Sequence, residues 1–129
     1  MANHEVKVIC KEDCGNAPKK ILIRDFVTAL GRIDQESIRA FLADDIQADI
    51  VGMRQIQGID EFMEFARLSQ EARITEIKID TILTHGYGGS VSGVMKTENN
   101  SFAFGEFYRF NSVKNAKIKE ITSYRITLC

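Results

Sequence analysis

The residue best placed to do chemistry is Glu106, because it interrupts an aromatic stripe. In Ser101–Phe110, SFAFGEFYRF, a period of two puts Phe102, Phe104, Glu106, Tyr108 and Phe110 on one face of a strand. Ala103, Gly105, Phe107 and Arg109 take the other face. A carboxylate among rings is costly unless it is paired, protonated or solvated in a cavity. The chemistry open to it there is that of a general acid, a general base or a hydrogen-bonding partner for a ligand. The alternative is structural: a pair with a basic residue across the sheet, Arg125 or Lys96, that fixes strand register.

Other candidates are weaker. His85 lies beside glycines at a strand end, either as an exposed turn residue or as a ring at a pocket mouth. Tyr108 and Tyr124 carry hydroxyls that can meet a ligand or sit at the sheet rim. Asp44, Asp45 and Asp49 cluster in sequence, but no histidine or further carboxylate has the spacing of a metal site, so none is expected. Of the three cysteines, Cys10 and Cys14 are separated by three residues rather than the two of the common redox motif. Reduced thiols are the expectation for these and for Cys129.

The elements that position these residues follow from periodicity. Residues 5–10 alternate as a short strand or extended arm, ending in a turn-like cluster at 13–16. A first helix is expected from near Asn16, with Pro18 in its opening turn and Ile21, Leu22, Phe26, Val27 and Leu30 on its buried stripe; Gly31 marks its end. Asp34 caps a second short helix carrying Ile38, Phe41 and Leu42, finishing at Asp44 and Asp45. A strand over 46–51 turns through Gly52 into a short partner over 54–57. Gly58 opens a third helix with Phe62, Met63, Phe65 and Ala66 on its apolar side. From there the period is two: a strand over 74–84 with Ile77, Ile79, Thr81 and Leu83 facing together, a turn at 85–89, a return strand over 91–96, the aromatic strand, and a last strand over 118–128. Short loops between consecutive strands demand antiparallel pairing, so the class is α+β.

The chain has 129 residues, enough for one domain, 1–129, with 1–15 as an extended N-terminal arm. Hydrophobic residues at 44% and charged residues at 27% exclude disordered and fibrous classes. Seventeen Lys and Arg against eighteen Asp and Glu leave a net charge of -1, which argues against a nucleic-acid surface. No apolar run is long enough to span a bilayer, and the polar start MANHEVKVICKEDC does not read as a signal peptide. A cytoplasmic location without membrane or nucleic-acid partners is the resulting expectation.

The order of elements, with FVTALG at 26–31, FLADDI at 41–46, Gly58, EFYRFN at 106–111 and KIKEI at 117–121, resembles the nuclear transport factor 2-like superfamily, and within it the SnoaL-like and ketosteroid isomerase-like proteins. The resemblance covers about residues 16–128. It implies a cone-shaped fold, a curved and mainly antiparallel sheet wrapped around three helices from the N-terminal half. It also implies a pocket open at one end and a homodimer through the outer sheet face. No cofactor is implied. The isomerase's oxyanion-donating tyrosine falls on Phe26, and its aspartate base on Ile50, or on Asp49 if the register slips by one. Its neutral carboxylic acid falls on Glu106. Steroid-type isomerisation is therefore not expected. The site implied is an apolar pocket lined by Phe26, Ile50, Phe62, Phe104 and Tyr108 around Glu106, with Asp49 as a second catalytic candidate and His85 at the mouth. An unknown small apolar or aromatic ligand would occupy it. A non-catalytic interaction module with a filled cone is the alternative.

Overall fold

A computed structural model of the protein describes residues 5–10, 17–69 and 73–128. Among them are three helices, α1 (Pro18–Arg32), α2 (Gln35–Phe41) and α3 (Ile59–Leu68). The strands are β1 (Lys7–Cys10), β2 (Leu42–Ile50), β3 (Arg54–Gln57), β4 (Ile74–His85), β5 (Gly88–Thr97), β6 (Ser101–Phe110) and β7 (Ile118–Leu128). They form one curved, open sheet in the order β1-β4-β5-β6-β7-β2-β3, which makes the aromatic strand β6 the middle one.

From β4 to β7 the chain meanders, each strand antiparallel to the last. Two pairs are parallel, β1 with β4 and β2 with β7. Parallel partners need a long crossover, and the helices and intervening strands supply it. The helices lie on one face of the sheet, α1 across β4 and β5 and α3 against β2. Their buried side chains, Ile23, Phe26 and Val27 from α1, Ile38 from α2 and Phe62, Met63 and Ala66 from α3, form one core with the inner face of the strands.

Pro18 opens α1, where its missing N–H costs no bond. The helix runs past Gly31 to Arg32 and closes on Ile33, which takes the left-handed conformation with φ 55°. Gly31 is instead a close-approach site: a Cβ there would lie 2.5 Å from Ile77 Cδ1. Asp34 caps α2 by accepting from the Ser37 amide at 3.3 Å. The helix then stops at Phe41, so Asp44 and Asp45 belong to β2, with exposed side chains. Of the expected N-terminal arm, Lys7–Cys10 is an edge strand whose Val6 neighbour is buried, and Cys10 is a free thiol. Asn16, Cys14 and Cys129 lie outside the described residues.

One strand departs from simple alternation. Ile77 and Ile79 are buried, but Thr81 is exposed and Leu83 is 61% exposed, while Ile82 points inward. The β4–β5 register shifts between Ile79 and Thr81. The extra residue of that bulge reverses which positions face the core. Gly93, paired with Ile79, permits the bulge: a Cβ there would sit 2.1 Å from the Lys78 carbonyl oxygen.

Candidate functional site: a buried carboxylate in the cone cavity

Strand geometry alone assembles the surroundings of Glu106. Tyr108 is two residues along the same strand and so on the same face; Ser123 is the residue directly opposite on β7. Arg125, opposite Phe104, is the diagonal neighbour. The Tyr108 hydroxyl donates to Glu106 Oε1 at 2.5 Å, and the Ser123 hydroxyl donates to Oε2 at 2.9 Å. Arg125 Nη2 stands 3.9 Å from Oε2, beyond hydrogen-bond reach, and its guanidinium lies over the Phe102 ring at 5.3 Å. Glu106 is 3% exposed, and Tyr108 and Ser123 are equally deep.

The electrostatic consequence is clearest at Tyr108. Burial pushes its phenol well above the ordinary value of 10.0, the neighbouring Glu106 carboxylate pushes it further, and Arg125 partly offsets this. Tyr108 therefore holds its proton and works as a donor to the carboxylate. Lys96 is engaged elsewhere, 3.5 Å from Glu76, so Arg125 is the basic partner of Glu106.

A cavity of about 120 Å³ lies over this cluster, between the inner face of the sheet and helices α1 and α3. Glu106, Ile50 and Phe62 line it, as the sequence suggested, and so does Arg125. The apolar wall is completed by Leu30, Ile33, Phe65, Ile74, Met95 and Phe102. The exposed members of the lining are Ser69 and Arg125, which place its solvent side at the C-terminal end of α3. Phe26, Phe104 and Tyr108 do not line the cavity. Phe26 is fully buried behind it and packs edge-on to Tyr108, with centroids 6.0 Å apart. Phe104 lies under Gly93, with Cε1 3.1 Å from where a Cβ would stand.

Neither Asp49 nor His85 lines the cavity with Glu106. Asp49 lies between Gln55 and Thr122 on the outer face of the sheet, because the register shift in β2 falls between Leu42 and Gln47, too early to turn it inward. His85 ends β4 in solvent. Ile50 lines the cavity and Phe26 brings no hydroxyl; the donors to the carboxyl are Tyr108 on β6 and Ser123 on β7. Sequence reasoning missed Ser123, which announces itself only through the β6–β7 register. Among the described residues no group of three or more His, Cys, Asp or Glu is placed to hold a metal ion, and no helix is long and apolar enough to cross a membrane.

No family model and no curated protein matches the sequence. Solved structures do match. A protein from Kribbella flavida DSM 17836 provisionally assigned as a ketosteroid isomerase superposes with a TM-score of 0.72 at 16% identity, over 84% of this chain and 78% of that one. A provisionally assigned SnoaL-like polyketide cyclase from Shewanella denitrificans OS-217 gives 0.71 at 13% identity, over 85% and 92%. An LEH-like epoxide hydrolase from M. tuberculosis gives 0.63 at 22% identity, over 82% and 80%. The fold is thus an α+β cone, shared with solved structures described as NTF2-like. At these identities the likeness extends to the fold alone.

Proposed function

We propose that this protein binds a small apolar or aromatic molecule in the cone cavity, with Glu106 as the group that meets its polar atom. The observation that carries the reading is the cavity's composition: apolar walls on almost every side and one buried carboxylate held in place by two hydroxyls. Its volume of about 120 Å³ suits one ring; an apolar cavity of about 150 Å³ accepts benzene. Glu106 is the only carboxyl in the described lining. Isomerase-, lyase- or hydrolase-type proton transfer to or from a bound molecule would therefore run through it. Neighbours assigned as isomerase, cyclase and epoxide hydrolase support that reading by analogy of fold only.

The test is an NMR titration of the protein with toluene. Saturable shifts confined to residues around Phe62, Phe65 and Met95 are expected, and Ala66→Leu, which fills the cavity from α3, should abolish them. Absence of any saturable shift in the wild-type protein would refute the reading.

A second reading concerns the outer sheet face. Leu83, Phe107, Tyr124 and Ile126 are all about half exposed or more, and Phe107 and Tyr124 stack edge-on with centroids 6.1 Å apart. An apolar surface of this kind suits a second copy of the chain. Sedimentation should show a dimer that Phe107→Glu converts to monomer; a wild-type monomer at high concentration rejects it.

A further inference from the structure

The polar end of the cavity presents two unlike groups side by side. The Arg125 side chain has no hydrogen bond among the described residues: its guanidinium lies over the Phe102 ring, 5.3 Å from the centroid, and Glu106 Oε2 is 3.9 Å away. A guanidinium carries five N–H donors, so donors remain to be used. Glu106 accepts two hydrogen bonds, from Tyr108 and Ser123. A carboxylate has about four acceptor sites, so acceptor capacity also remains. Both residues line the same cavity.

The charges decide what can bridge them. A ligand carboxylate on Arg125 would stand against the Glu106 carboxylate, and a ligand ammonium on Glu106 would stand against Arg125; each is opposed by like charge within a few ångströms. A neutral group that donates to one and accepts from the other meets no such opposition. The 3.9 Å gap is too wide for a direct bond and is left for two roughly parallel bonds to atoms joined through one carbon.

We propose that the Glu106–Arg125 pair recognises the edge of a neutral amide or lactam on a single-ring ligand, its N–H donating to Glu106 and its carbonyl accepting from Arg125. This rests on the cavity being a ligand site, as proposed above. The ring lies between Phe62, Phe65 and Phe102, and the amide points to the solvent side where Arg125 is 42% exposed. The alternative occupant of the gap, a water bridging the two side chains, predicts no preference for an amide edge.

The experiment is an NMR titration of the full chain with benzamide, N,N-dimethylbenzamide and toluene. Benzamide has the donor and acceptor together, the dimethyl compound lacks the donor, and toluene lacks both. Two hydrogen bonds to charged groups should make benzamide bind at least about tenfold more tightly than either. Arg125→Met should keep toluene binding and weaken benzamide about tenfold, since only its bond to Glu106 remains. If toluene binds but benzamide shows no advantage over the dimethyl compound, the amide assignment is overturned while the apolar-ligand reading stands. If none of the three binds, both fall. Benzamide binding that Arg125→Met leaves unchanged removes Arg125 from the recognition and overturns the pairing. The ligand series decides the matter without a variant should Arg125→Met prove unstable.

Discussion

Replacing Glu106 by methionine asks what the buried carboxylate is for. Methionine fills similar space without charge, so the change falls on the polar partners. Tyr108 at 4% exposure and Ser123 at 1% would each lose their acceptor in a place water does not reach. An orphaned buried hydroxyl costs about 1–3 kcal/mol. Arg125, at 42% exposure, keeps its hydration and adds little. Against these losses stands relief from desolvating the carboxylate, itself worth several kcal/mol when unpaired but here already reduced by two hydroxyl donors and by the guanidinium at 3.9 Å. The expected net effect is a loss of about 2 kcal/mol. The triple variant Glu106→Met, Tyr108→Phe, Ser123→Ala removes the donors with the acceptor and should return to within about 1 kcal/mol of wild type or exceed it. Urea unfolding followed by circular dichroism, with unchanged m, measures all three proteins. A single variant more stable than wild type would show that the hydroxyls do not depend on the carboxylate. A triple variant no better than the single one would place the cost in packing rather than in orphaned donors. Either result refutes the reasoning; the expected pair of results means that the cluster is replaceable for folding and is held for something else.

Two further outcomes follow from the same geometry. Tyr108 holds its proton above the ordinary 10.0 when folded. As pH rises past about 10 the unfolded chain loses that proton first, so the contribution is complete below that pH and is lost as pH climbs toward the folded value. Tyr108→Phe should flatten the decline in urea midpoint between about pH 9 and about pH 11, and an unchanged slope would assign the alkaline loss to other groups. Gly93→Ala drives a Cβ to 2.1 Å from the Lys78 carbonyl oxygen, which is backbone and cannot step aside. It should cost about 3 kcal/mol or more and speed amide exchange along β4 and β5; a loss under about 1 kcal/mol would contradict the close approach.

What could be read from sequence was whatever repeats within one element. The stripe Phe102, Phe104, Glu106, Tyr108, Phe110 is a period-two pattern and survives in β6, with Phe102 only partly buried at the cavity. Gly58 at the head of α3, Pro18 at the head of α1 and the Asp34 cap are local signals of the same kind. What could not be read depends on register between elements. The bulge after Ile79 moves Leu83 from core to surface, and nothing local to 74–84 announces it; Gly93 on the neighbouring strand leaves room for it. Ser123 is one serine among polar residues until β7 is set against β6. Phe26 and Phe104 lie on the inner faces that periodicity predicts, but off the cavity: Phe26 packs edge-on against Phe41 and Tyr108, and Phe104 lies against Gly93.

The same comparison explains why the cavity is where it is. At the level of Tyr108, the helix facing the sheet supplies Phe26, and the two rings meet edge-on and fill the space. The cavity that Glu106 faces has Gly31 from α1 and Ala66 from α3 in its wall, beside the larger Leu30, Phe62 and Phe65. A bulky residue at Ala66 would close the gap and leave the carboxylate without a space to face. Among the described residues Glu106 is the one buried acid, and it faces this cavity, whereas Tyr108 meets the Phe26 ring. At Glu106 periodicity and packing conflict, and the conflict comes with a cavity and a guanidinium whose side chain makes no hydrogen bond among the described residues. A conflict with local pattern that is supported by hydrogen bonds on one side and left open on the other is how a binding site differs from a packing error.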